Sequence, residues 1–166
     1  KLLAATGNSD ETLYSDSVFS AYTYTDSASI QTITNGIDLA GKGGLVWTKR
    51  RSNAASHLLI DTVRGGNNAL RTDGTTANLD VTPGITFGSS GYTIDQGQGY
   101  LQANGNSSIS WTFRKAPKFF DVVTYTGNGV AGRQIPHELG IAPGMVIVKK
   151  TSATGDWPVW HRSLSS

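Results

Sequence analysis

The sequence of 166 residues contains no cysteine. That absence excludes a disulfide framework, a thiol nucleophile and a cysteine-ligated zinc site. Charged residues make up only 16% of the chain and the net charge is +2, which is too small to indicate nucleic-acid binding. The longest apolar runs have the length of a strand, far below the roughly 20 residues that span a bilayer, and no signal-peptide pattern is visible. Composition alone therefore assigns no function.

Helical patterning is scarce, and strand-like patterning replaces it. Alanine, glutamate, lysine and leucine never run together over two turns, whereas threonine, serine, valine, tyrosine and tryptophan recur beside 20 glycines. Seven segments alternate in strand fashion between clusters of turn-forming residues. They are Phe19–Thr25, Gly44–Lys49, His57–Val63, Gly91–Asp95, Ser108–Arg114, Phe119–Thr126 and Gly144–Lys150. Their spacing, with a loop-rich exception from 65 to 91, predicts an all-β fold, an antiparallel β-sandwich.

The strongest internal signal is a repeat of about 100 residues. Three pairs of segments share their polarity pattern at an offset of 101 residues and then 100. The pairs are Phe19–Thr25 with Phe120–Thr126, Gly44–Arg50 with Gly144–Lys150, and His57–Ile60 with Trp157–Trp160. The first pair also shares an aromatic start and an identical Thr-Tyr-Thr. The alternative is that any two β-hairpins of similar polarity align this well.

The repeat divides the chain into three predicted parts. Residues 1–18 are expected to be a linker from a preceding domain, 19–118 a complete β-sandwich repeat, and 119–166 the first half of a second repeat. Three or four strands with one apolar face are marginal alone. The half repeat is therefore expected to pack on the first, to be completed by sequence outside the chain, or to join a neighbouring chain. Because Lys1 is not a methionine, the chain is expected to be a piece of a longer protein.

Several segments resemble a repeat found in virion proteins of tailed bacteriophages. The segments are Trp111–Gly129, His137–Gly140, Pro143–Lys150, Gly44–Arg51 and His57–Gly65. The resemblance implies a jelly-roll or concanavalin-A-like β-sandwich, strung in tandem in tail fibres, spikes or appendages. It also implies a virion location, synthesis in the host cytoplasm, and a structural or host-attachment role. No catalytic residues are attached to this repeat.

On this resemblance we expect a non-enzymatic structural component of a tailed-phage virion, with repeats that stack end to end. The expected partners are other virion subunits, including further copies of the same chain, with no nucleic acid, no membrane insertion and no cofactor. The alternative is a carbohydrate-binding module that attaches the particle to host surface polysaccharide. A polysaccharide depolymerase would need two facing acidic residues, and the 12 aspartates and glutamates offer no such pair by spacing.

The four tryptophans divide by periodicity. Trp47 and Trp111 each alternate with apolar neighbours in a predicted strand, so both are expected in the core. Trp157 and Trp160 flank a proline and cannot both point inward along a regular strand. These two are the candidates for a glycan or inter-module contact, because sugar faces stack on aromatic rings.

Basic residues end two of the predicted strands. Lys49, Arg50 and Arg51 follow one strand, and Arg114 ends another. Solvated strand ends are the ordinary interpretation. If the two groups met, they would form a weak candidate site for an acidic polysaccharide or a partner subunit, with an attraction that salt weakens.

Other motifs carry little weight. Gly127–Gly132 fits G-x-G-x-x-G, but no helix pattern follows it, so the glycines indicate a turn. His57, His137 and His161 lack metal-ligand spacing, and no metal is predicted. His57 with Asp61 and a serine lacks any signal of a nucleophile elbow. We therefore predict no catalytic residue.

Overall fold

The computed structural model describes residues 13–95 and 99–164. Most of the regular secondary structure in these residues is strand, and the two helices are single turns, neither long and apolar enough to cross a bilayer. In chain order the elements are α1 (Ser15–Val18), β1 (Phe19–Thr25), β2 (Gln31–Thr34), α2 (Leu39–Lys42), β3 (Gly44–Arg50), β4 (Leu58–Asp61), β5 (Asn68–Arg71), β6 (Leu79–Asp80), β7 (Ile85–Gly88), β8 (Gly91–Ile94), β9 (Ser107–Arg114), β10 (Met145–Ile147) and β11 (Val159–His161).

Two antiparallel sheets form the main body. The larger has six strands in the order β1-β9-β3-β4-β5-β6, and the smaller has three in the order β2-β8-β7. A separate sheet consists of β10 and β11 alone. Every strand pair in the described residues is antiparallel. The predicted all-β, antiparallel class is confirmed.

The hydrophobic core lies between the two larger sheets. The six-stranded sheet contributes Val46, Leu58 and Ile60, and the three-stranded sheet contributes Ile33 and Ile94. Each of these side chains is at most 2% exposed. Full burial of one such side chain stabilises a fold by about 1.5–3 kcal/mol. This shared core makes the two sheets a sandwich.

The inner face of β9 is polar. Ser108, Ser110 and Thr112 are completely buried there, and Asn35 Nδ2 donates to Thr112 Oγ1 at 2.8 Å. The sandwich therefore contains a polar seam beside its aliphatic core.

The prediction that Trp47 and Trp111 belong to the core was wrong. Alternation along β3 turns Val46 and Thr48 inward, so Trp47 points to the outer face of the sheet. Trp111 pairs with it across β9 and is also only half-buried. A period of two shows that apolar residues share a face, but it does not show which face meets the second sheet.

Five short strands were not predicted from the sequence. The stretch from 65 to 91 was predicted to be loop-rich, yet it contains β5, β6 and β7. Each of these strands has only two to four residues and lies among closely spaced turn-forming residues that hide its pattern. β2 and β11 escaped for the same reason.

The predicted strand Phe119–Thr126 is absent. Its only ladder contact in the described residues is a single antiparallel bridge between Ala116 and Phe120. The aligned strand β1 has one neighbour, β9, and no second β9-like strand occurs in the described part of the chain. A strand needs a partner for its backbone hydrogen bonds. The segment therefore has a strand-like sequence without a ladder.

The structure describes only the end of the predicted linker. Residues 1–12 lie outside the described residues. Ser15–Val18 form α1, and Val18 is 4% exposed. The end of the predicted linker thus packs against the sandwich.

Candidate inter-module surface

Aromatic side chains from three neighbouring strands lie on the outer face of the six-stranded sheet. Trp47 of β3 pairs with Trp111 of β9, with ring centres 5.4 Å apart. Phe113 of β9 pairs with Phe19 of β1, with ring centres 5.0 Å apart. Tilted aromatic pairs at such distances contribute about 0.5–1.5 kcal/mol beyond their burial. We call these four side chains the outer aromatic face.

The chain after β9 folds back onto the outer aromatic face. The ring of Phe120 lies 5.3 Å from that of Phe113, and the ring of Phe119 lies 6.5 Å from it. The reversal passes through Lys118 at φ 62°, the only positive-φ residue other than glycine among the described residues. The Lys118 N–H donates to the Leu139 carbonyl at 2.8 Å. The sparsely populated backbone conformation is thus held by its own hydrogen bond.

An ion pair holds the reversal together. Lys115 Nζ lies 3.0 Å from Asp121 Oδ1 and 3.4 Å from Glu138 Oε2. Asp121 Oδ2 accepts a hydrogen bond from the Glu138 backbone N–H at 2.8 Å. Burial raises the pKa of Asp121, but hydrogen bonds from Glu138 and Lys115 outweigh burial and hold that pKa below its ordinary 3.8. The hydrogen bond to Asp121 raises the pKa of Lys115. Both groups are therefore charged at neutral pH.

The second hairpin, β10–β11, pairs in the register of the first hairpin, β3–β4. Each of its three residue pairs equals a pair of the first hairpin with 100 added to both numbers. The pair Leu45–Asp61 corresponds to Met145–His161, Val46–Ile60 to Val146–Trp160, and Trp47–Leu59 to Ile147–Val159. The next hydrogen bond also matches: Thr62 N–H donates to Gly44 O at 3.0 Å, and Arg162 N–H to Gly144 O at 2.9 Å. A slip of one residue in the pairing turns every side chain to the opposite face of the sheet. Such a slip in either hairpin would have abolished the match.

The two hairpins differ in what covers them. Val46 and Ile60 are 1% and 0% exposed, whereas their counterparts Val146 and Trp160 are 38% and 50% exposed. Met145, on the other face of the second hairpin, is 56% exposed. A lone two-stranded ribbon is marginally stable, and contiguous exposed apolar side chains mark an interaction surface. The second hairpin is the candidate contact surface of this chain.

The loop between β10 and β11 contacts the β5–β6 loop of the sandwich. Trp157 Nε1 donates to the Gly74 carbonyl at 2.9 Å, and Lys149 Nζ lies 5.7 Å from the centre of the Trp157 ring. Two backbone hydrogen bonds, each 2.9 Å long, flank this contact: Asn78 N–H to Thr151 O and Gly155 N–H to Thr75 O. Of the two candidate tryptophans, Trp157 thus lies between the predicted repeats, while the half-exposed Trp160 lies on β11.

The basic residues at the strand ends do not meet. Arg50 pairs with Ser108 and Gly44 with Arg114, so Arg50 and Arg114 lie at opposite ends of β3. Six residues of strand separate them by about 20 Å. Arg114 is also 6% exposed, which corrects the expectation of a solvated strand end. It faces the sandwich interior with Thr112 and cannot bind an outside ligand.

The other basic residues bind within the sandwich. The Arg50 guanidinium donates to the carbonyl oxygens of Gly99 and Tyr100, the second at 3.1 Å, and lies 3.9 Å from Asp26. Of the three consecutive basic residues only Arg51 is exposed. Two further contacts are local: Arg51 Nη1 to Ser107 Oγ at 3.3 Å, and Lys49 Nζ to the carbonyl oxygens of Arg50 and Asn53. These residues order the strand end and its loops.

The histidines and the glycine motif serve local geometry. His57 Nδ1 accepts the indole N–H of Trp47 at 3.1 Å, while His137 and His161 each accept a backbone N–H. Within residues 13–95 and 99–164 no three His, Cys, Asp or Glu side chains are grouped so as to hold a metal. Gly127–Gly132 lies in a loop, and the described residues that follow it contain no helix.

Sequence reasoning missed the contacts that join the two parts of the chain. Phe119, Phe120 and Asp121 were assigned to a strand, although aromatic residues on both sides of a basic, proline-containing turn are a usable signal for a reversal. The Gly74–Asn78 loop gave no signal, because a polar loop that donates and accepts through its backbone has no distinctive side-chain pattern.

The fold and these contacts define an antiparallel β-sandwich that carries an additional, uncovered hairpin. The chain belongs to a family described as a domain of unknown function, DUF7483, whose model matches residues 14–166. That range runs through both the predicted complete repeat and the predicted half repeat. Neither a comparison with curated proteins nor one with solved structures found a match.

Proposed function

We propose that this chain is a non-enzymatic structural component of a tailed-bacteriophage virion, a module of a tail fibre, spike or comparable appendage. The observation that carries the proposal is the second hairpin, which pairs like the first at a constant offset of 100 residues and remains uncovered. A chain that begins a second copy of its own sandwich suits an array of stacked repeats. The tailed-phage part of the proposal rests on the sequence resemblance.

The mechanism would be mechanical. Two contacts hold the part of the chain after β9 against the sandwich: the packing of Phe119 and Phe120 on Phe113, and the Trp157 hydrogen bond to Gly74. They lie near either end of that part and determine where it attaches to the sandwich. Repeats joined in this way form a stiff rod rather than beads on a flexible linker, and stiff reach is the property that a fibre needs.

The test uses purified particles of the phage whose genome encodes this chain. Mass spectrometry is expected to find the chain in stoichiometric amount, and immunogold labelling with an antibody against the sandwich is expected to mark the tail or its appendages. Absence of the chain from infectious particles would overturn the proposal. Incubation of the chain with host polysaccharide is expected to release no reducing ends.

A second candidate function is carbohydrate binding. An open groove of about 480 Å³ is lined by Arg50, Ser56, Leu58 and Tyr100, and the Tyr100 side chain is 57% exposed. An exposed ring beside polar groups suits the face of a sugar. On a glycan array, Tyr100→Ala is expected to lose binding, whereas Tyr14→Ala, at a 67% exposed tyrosine outside the groove, retains it. If the wild-type chain binds no host glycan, this candidate is removed.

A further inference from the structure

We propose that the free edge of β10 is an acceptor site for a β-strand with the side-chain pattern of β9, supplied by another copy of the repeat. The inference rests on the proposed function, because it requires the chain to work in an array. It names the partner segment and the place where that segment binds.

The position of the missing strand follows from the sandwich. There β9 lies between β1 and β3 and pairs seven residues with each. The counterparts of β1 and β3 are both present, as Phe120–Thr126 and β10. In the described residues β10 pairs only with β11, and no strand lies on its other edge. The absent ladder of Phe120–Thr126 and the open edge of β10 therefore have one common cause.

The exposed side chains of β10 fit such a strand. On β3, Trp47 pairs with Trp111 of β9, and Leu45 pairs with Phe113. Their counterparts on β10 are Ile147 and Met145. Ile147 and Met145 are 53% and 56% exposed. An incoming tryptophan and phenylalanine would cover both, and cross-strand aromatic–aliphatic pairs stabilise a sheet. Strand addition at an open edge also satisfies the backbone groups of that edge.

The lysines that follow β10 are compatible with such a strand. Lys149 and Lys150 follow β10, and edge lysines disfavour unspecific strand pairing. In the register of the sandwich, a β9-type strand would place a serine opposite Lys150 and its terminal arginine opposite Gly144, at the other end. The incoming strand therefore brings no positive charge against the lysines. At the other end the incoming arginine approaches the guanidinium of Arg162, which lies beside Gly144. The apolar contacts and the backbone ladder, rather than charge, therefore carry the pairing.

The experiment adds a synthetic peptide spanning Asn106–Lys115 to the full chain and follows amide hydrogen exchange by mass spectrometry. Exchange in Gly144–Lys150 and in Phe120–Thr126 is expected to slow by roughly tenfold at saturating peptide. The same peptide with Thr112→Pro, which cannot form a regular ladder, is the control and is expected to protect neither segment.

Two variants of the chain test whether the peptide binds at β10. Ile147→Asp is expected to weaken peptide binding by roughly tenfold, because it places a charge against the incoming aromatic side chain. The matched variant Val130→Asp, at a 65% exposed position outside the hairpin, is expected to bind the peptide like the wild type. Equal binding by both variants would overturn the proposal.

Two further outcomes would also overturn it. One is unchanged exchange at β10 with saturating peptide. The other is protection of Gly144–Lys150 in the monomeric chain without peptide, because an edge that the same chain already covers cannot accept a further strand. The readout is independent of the particle experiment. Absence of the chain from virions refutes the proposed function and leaves the peptide result standing, and failure of the peptide refutes only the acceptor site.

Discussion

The first and second hairpins pair their strands in the same register but stand in different surroundings. Ile60 is fully buried between two sheets, while its counterpart Trp160 is 50% exposed. Backbone pairing determines which residues face each other across a hairpin, and it operates in both places. The neighbouring sheets determine how much apolar surface is removed from water, and only the first hairpin has them. The difference shows that register and stability have separate origins in this chain.

The largest expected effect comes from the difference in burial between the two hairpins. Ile60→Ala is expected to lower the free energy of unfolding by about 2–5 kcal/mol, because it removes buried methyl groups and leaves a cavity. Trp160→Ala, at the equivalent place in the second hairpin, is expected to lower it by less than about 1 kcal/mol, since much of that ring is already in water. Urea unfolding of both variants measures the two values. Similar losses would mean that both hairpins belong to one core.

The sequence predicted the parts of the fold that repeat a clear period. β1, β3, β8 and β9 were predicted to within one residue at either end, and the antiparallel all-β class followed from them. The face of each strand could not be predicted, because serine and threonine on β9 turn inward while Trp111 and Phe113 turn outward. The absent ladder at Phe120–Thr126 could not be predicted either, since a local pattern does not reveal whether a partner strand is present.

An intermediate effect is expected at the reversal after β9, which joins the two regions being compared. Asp121→Asn removes the charge that binds Lys115 and is expected to cost about 1–3 kcal/mol, as for other hydrogen bonds to charged groups. The folded pKa of Asp121 lies below 3.8, so its stabilisation is present above that pH and is lost as the pH falls through the folded pKa. Lys115, with its pKa raised above 10.5, behaves oppositely and loses its contribution as the pH rises through the folded value.

The free energy of unfolding between pH 2 and 7 measures this contribution. The wild type is expected to lose stability at acid pH more steeply than Asp121→Asn, because only the wild type must protonate a hydrogen-bonded carboxylate there. The exposed Asp156 provides the control, and Asp156→Asn is expected to follow the wild type. Identical acid slopes for all three proteins would show that the ion pair contributes nothing to folding.

The candidate site was predictable only in part. Trp157 and Trp160 were singled out because a proline between them breaks the strand pattern, and the structure gives them different surroundings. A shared site of Arg50 and Arg114 was conditional on the two strand ends meeting, and antiparallel pairing of β3 and β9 separates them. Distances between segments depend on topology, and a pattern within one segment carries no information about it.

The smallest expected effect sharpens the comparison at the loop of the second hairpin. Trp157→Phe keeps an aromatic side chain but removes the indole N–H that donates to Gly74, so it is expected to cost about 0.5–1.5 kcal/mol of local stability. The neighbouring amides of Asn78 and Gly155, which donate across the same contact, are then expected to exchange with solvent about fivefold faster. Trp160→Phe changes the other tryptophan of the hairpin without touching this contact and is expected to leave both rates unchanged. If Trp157→Phe also left them unchanged, the backbone hydrogen bonds alone would hold the loop on the sandwich, and the difference between the two hairpins would lie only in the covering of their strands.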